Sequence, residues 1–135
     1  MLARASNFTR HPMKLHLSSA PGLNLISAYG DGYIQINGQR HRSSLIVLPE
    51  TILPDWSVAD FEQLTPAHFS QLAELRPELV LLGVGVRHRF PHPSLYQTLI
   101  AAGIGLEHMD TGAACRTYNI LAAEGRKVAA ALIVG

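Results

Sequence analysis

Three polar groups fall within one short stretch of the chain: His108, Asp110 and Cys115. Cys115 follows Thr111-Gly112-Ala113-Ala114 in the first turns of a predicted helix. There the helix dipole favours a thiolate, and Arg116 is its neighbour. A Cys/His/Asp nucleophilic site can be drawn from these residues. The packing reading is the stronger one, because Ala113-Ala114-Cys115 looks like a run of small residues on a tightly packed helix. No catalytic residue is therefore assigned. A second group is Gly83-Val84-Gly85-Val86-Arg87-His88-Arg89. Its glycines let backbone N–H groups approach a ligand, and its arginines add positive charge. Combined with the free N–H groups expected at the Thr111 helix start, it describes a cradle for a small anion. The candidate ligand-binding residues are Gly83, Gly85, Arg87, Thr111, Gly112, Arg116 and Asn119. Arg116 and Asn119 lie three apart on one helical face. They either line the cradle or tie neighbouring backbone to the helix.

Other chemistries find little support. The glycine run lacks the third glycine of a dinucleotide loop, and His88 stands in its place. His88 and His92 are four apart, but Pro91 and Pro93 keep them off one helical face, so no metal site is assigned. No cofactor is expected. The net charge of +1 and few aromatic residues argue against a nucleic-acid partner. The single cysteine excludes an internal disulfide. No apolar run has the length of an integral membrane segment. The opening residues lack a secretory apolar core. Residues 1–13 are read as a flexible tail, 1–135 as a single domain and the cytoplasm as its location.

The elements that must position these groups can be read from period and punctuation. Leu15 and Leu17 alternate with polar residues as a strand would. Strands are also expected at Leu25–Tyr29 and Tyr33–Ile36, with a hairpin turn at Asn37-Gly38. Leu45–Leu48 is a further strand stopped by Pro49, and this half reads as an antiparallel meander. Thr65-Pro66 opens a helix that Pro77 ends. Residues 78–134 then spell strand, helix, strand, helix, strand, with the last helix from Thr111 to Ala123 and a stop at Gly125. The direction of the last strand stays open. Parallel strands ending near Gly83 and His108 would bring the two candidate groups to one edge. The expected fold class is α/β: a three-layer β+β/α arrangement. Its mixed central sheet has about five strands, with helices on one side and the N-terminal meander as an extra layer.

The segment from Asp110 to Asn119, with Glu124-Gly125-Arg126, resembles one family. That family includes mitochondrial complex I (NADH:ubiquinone oxidoreductase) assembly factor 3 and its prokaryotic relatives of unknown function. Gly83-Val84-Gly85, Tyr29-Gly30 with Ile34, Ile36 and Gly38, and Leu45-Ile46-Val47-Leu48-Pro49 are similar to the same family, over roughly residues 14–134. The resemblance implies the three-layer fold. It implies no enzymatic activity and no cofactor, and a role in binding other proteins during assembly of an enzyme arm. Another protein is thus the expected partner, and a small anion the alternative. Exposed Trp56, Phe61, Phe90 or Tyr96 would favour the protein partner.

Overall fold

The computed structural model describes Met13–Lys14 and residues 22–134. The alternation at Leu15 and Leu17 lies outside the described residues. Four strands, β1 (Met13–Lys14), β2 (Ile26–Gly30), β3 (Tyr33–Ile36) and β4 (Gln39–His41), pair antiparallel in chain order. The β3–β4 hairpin forms where Asn37-Gly38 predicts it, because both residues adopt positive φ, 51° and 85°. Strand β5 (Leu45–Leu48) does not extend this meander. It pairs antiparallel with β6 (Thr51–Leu53) on one side and with β9 (Val128–Leu132) on the other. Leu45, Ile46 and Val47 are all fully buried, so β5 needs cover on both faces, and only the central sheet offers that.

The five-stranded sheet runs β6-β5-β9-β7-β8, with β7 (Leu79–Gly83) parallel to both β8 (Gly105–Met109) and β9. The last strand is therefore parallel to its β7 neighbour, and the sheet is mixed as expected. Helix α1 (Pro66–Glu74) starts at Thr65, whose N–H donates to His68 Nδ1 at 3.0 Å, and the chain turns away at Arg76 with φ 53°. Helix α2 (Gln97–Ala101) follows a 3-10 turn over Pro93–Tyr96. Helix α3 (Thr111–Ala123) has the boundaries its sequence predicts. Among the described residues no helix is long and apolar enough to cross a membrane.

The helices divide between the two faces of the sheet rather than sharing one. Val80 and Leu82 of β7 pack with Phe69 and Leu72 of α1 and Leu99 of α2. Leu81 packs with Ala114, Cys115, Tyr118 and Ala122 of α3. Chirality explains the split. The chain crosses from β7 to β8 in one direction, then from β8 back past β7 to β9. Two right-handed crossovers running in opposite directions place their helices on opposite faces. The meander joins α3 on its face, contributing Ile26, Ile34 and Ile36 to the same core. That makes the third layer of the expected β+β/α arrangement.

Asn119 fastens that layer. Its Nδ2 donates to Ile26 O at 2.8 Å and its Oδ1 accepts from Ile26 N at 2.8 Å. One carboxamide thus behaves as the peptide group of a neighbouring strand. Tyr118 adds a hydroxyl donated to Asn24 O at 2.7 Å. Asn119→Ala leaves both Ile26 groups buried without partners. It should cost about 3 kcal/mol, seen as a lower urea midpoint at unchanged slope.

Candidate functional site

The exits of β7 and β8 meet. Gly83 stands opposite Met109, and Val84 N donates to Met109 O at 2.9 Å. Thr111 N donates to Gly85 O at 2.8 Å. The Thr111 hydroxyl accepts from Gly85 N at 2.9 Å and donates to Ile133 O at 2.8 Å. One threonine therefore ties the β7 exit, the start of α3 and the end of β9 together. Gly83 is what lets α3 come so near: a Cβ there would stand 3.0 Å from the Thr111 Cα.

These bonds engage several, but not all, of the donors of the predicted cradle. The Thr111 and Gly85 N–H groups are satisfied internally, and the Asp110 carboxylate accepts from Ala113 N at 2.9 Å. A carboxylate in this place already answers the positive end of the α3 dipole.

A cleft of about 770 Å³ opens beside this edge, between the β2–β3 turn and the start of α3. Gly85, Thr111, Gly112 and Arg116 line it, facing Tyr29, Tyr33 and Arg40 from the meander. The Arg116 guanidinium donates to the Tyr29 hydroxyl, and Arg40 lies over the Tyr33 ring at 3.9 Å. Gly112 makes room for Tyr29, since a Cβ at Gly112 would sit 2.9 Å from Tyr29 Cε1. Three of the predicted residues lie elsewhere. Gly83 is packed under α3, and Asn119 is committed to Ile26. Arg87 lines a smaller cleft of about 250 Å³ with Asp60, Glu62 and Arg89.

Cys115 is fully buried in the α3-side core, and that burial pushes its thiol up to about 12, against a small opposing pull from Arg116. His108 belongs to the other face. There His108 Nδ1 lies 2.9 Å from His88 Nε2. The sheet thus separates the thiol from the imidazole, and no Cys/His/Asp site forms.

The surface the sequence did not assemble is the loop after β7. Val86 is 87% exposed and Phe90 74% exposed. The Phe90 ring stacks on His88 with centroids 4.7 Å apart and meets His108 edge-on at 5.0 Å. Arg89 is paired with Glu62. Of the four aromatic residues that were candidates for exposure, Trp56 is buried, Phe61 and Tyr96 are half-buried and Phe90 is open. The adjacency of the β7 and β8 exits carried the signal for the His88–His108 pair, since the first loop must pass over the end of the second strand.

A mixed sheet with divided helices and an added antiparallel layer is the Mth938-like fold. A solution structure of a Bordetella pertussis protein described as a Mth938-like domain superposes with a TM-score of 0.77 and 38% identity, covering 90% of this chain and 92% of that one. A Bordetella parapertussis crystal structure gives 0.80 and 42% identity, covering 87% of this chain and 100% of that one. Residues 26–133 match the model of the family described as protein of unknown function (DUF498/DUF598), and the chain belongs to that family. It is also 34% identical over 128 residues to a Mus musculus protein named NADH dehydrogenase (ubiquinone) 1 alpha subcomplex assembly factor 3. That alignment covers 93% of this chain and 69% of the mouse protein.

The burial of Cys115 makes a direct prediction. A thiol pushed above its usual value stays protonated at neutral pH. Iodoacetamide should therefore leave Cys115 unmodified in the folded protein and label it fully in urea, as read by intact mass.

Proposed function

We propose that this chain is a non-enzymatic protein-binding module that works as an assembly factor. Its docking surface is the Val86–Phe90 loop, and its partner is a subunit or assembly intermediate of an NADH:ubiquinone oxidoreductase. The observation that carries this reading is the exposure of Val86 and Phe90 on a firmly anchored loop. Exposed aromatic side chains on a fixed base are what protein interfaces use as anchors, because little entropy is lost when a partner covers them. The base is fixed by the Val84–Met109 and Gly85–Thr111 bonds. Strand β8 supports the same reading. Among the described residues it is an outer strand of the sheet, so a main-chain edge runs beside the loop for a partner strand to pair with. The identity of the partner is taken from the names of relatives such as the mouse assembly factor.

The small-anion alternative at the 770 Å³ cleft rests on Arg40, Arg116 and the start of α3 at Gly112, because the Gly85 and Thr111 N–H groups are otherwise engaged, and Asp31 and Asp110 line the same cleft. Both arginines already have aromatic partners within the chain.

The test is a comparative capture from the cell that makes the protein. Wild type should retain subunits of the NADH-oxidising respiratory enzyme. Phe90→Ala should weaken that retention by about 30-fold, the scale of one aromatic anchor, with unchanged thermal stability. Equal retention by the variant, or no such subunits with wild type, would overturn the reading.

A further inference from the structure

We propose that His88 and His108 form a proton-operated latch: sharing a proton, they hold the Val86–Phe90 loop in its docking shape, and on acidification they release it. Only the consequence for docking rests on the reading above. The latch itself is a property of the free chain.

The geometry carries the inference. His108 is fixed in β8, opposite Leu82 of β7, whereas His88 rides on the loop. Their nitrogens, 2.9 Å apart, can be bonded only if one carries a proton and the other a lone pair. Phe90 covers both rings, so the position of the pair sets the position of Phe90. The proton count then follows. In the neutral pair one N–H bridges the two rings. A first added proton goes to an outer nitrogen and strengthens the bridge, because the donor or its partner is then charged. A second added proton must occupy the remaining lone pair within the bridge. Both nitrogens are then donors, the bond is lost, and two like charges face each other at contact distance.

Burial, and after it the proximity of His88, hold the His108 imidazole below its usual range, while Glu107 pulls weakly the other way. The other charged and titratable groups on the surrounding elements include Asp60, Glu62, Arg87, Arg89, His92, Tyr96 and Asp110. Arg89 is tied to Glu62, His92 Nδ1 lies 2.9 Å from the Ser94 hydroxyl, and Asp110 is tied to the start of α3. The neighbouring Glu107 side chain alternates to the opposite sheet face, and the Asp60 and Glu62 carboxylates are engaged with Glu62 N and Arg89.

The test is an NMR titration of the free protein with labelled histidines, in wild type and in His88→Gln. At neutral pH a scalar coupling between His88 Nε2 and His108 Nδ1 should be seen. It should survive the first protonation of the pair and vanish when the second proton enters it, and the Val86 and Phe90 amides should move with that second midpoint. In His88→Gln the His108 midpoint should rise toward the ordinary value, and the Phe90 transition should disappear. No coupling at neutral pH would overturn the latch, as would Val86 and Phe90 amides that ignore the second protonation of the pair. Neither result would touch capture by Phe90, which is read separately.

Discussion

The side chain of Asn119 is the constraint on which the three-layer arrangement depends. A helix and a strand have no natural way to share backbone hydrogen bonds. A carboxamide solves this because it carries a donor and an acceptor in the same geometry as a peptide. Asn119 presents both to Ile26, so α3 is joined to β2 by a bonded pair in addition to apolar packing. Tyr118, one residue earlier, binds the chain just before β2. The meander is thereby held against α3, and the cleft between the β2–β3 turn and the start of α3 takes its shape from that attachment. Polar residues in the middle of this helix serve to join layers.

A second junction, at Thr111, does for the sheet edge what Asn119 does for the meander. Its hydroxyl is bonded to both Gly85 and Ile133. Gly83 contributes by lacking a side chain. The result is a rigid rim from which the Val86–Phe90 loop projects. The two exposed apolar side chains sit only a few residues beyond bonds that fix the backbone beneath them.

Much of the fold could be read from the sequence, for physical reasons that can be named. The limits of α3 were legible because Asp110 can cap, Gly125 can adopt positive φ and the apolar stripe between them has a helical period. The adjacency of β7 and β8 followed from one apolar strand, one helix and a second strand. The meander was overextended to β5, since a buried strand after a hairpin looks the same whether it continues that sheet or crosses to another. The division of the helices was missed because it depends on strand order, which local pattern does not encode. The candidate site was half legible. Gly85, Thr111, Gly112 and Arg116 do meet at the cleft. Sequence alone could not show that the Gly85, Thr111 and Ala113 N–H groups would be engaged within the chain, and the His88–His108 pair was signalled only through the adjacency of the β7 and β8 exits.

The central claim is that one side chain joins the meander to the helix. Amide hydrogen exchange at Ile26, followed by NMR, tests it most directly. If Asn119 is the acceptor, the Ile26 N–H should exchange only through global unfolding, as slowly as the amides at the centre of β9. Exchange of Ile26 at the rate of an open loop amide would contradict the account and detach the meander from the framework described here.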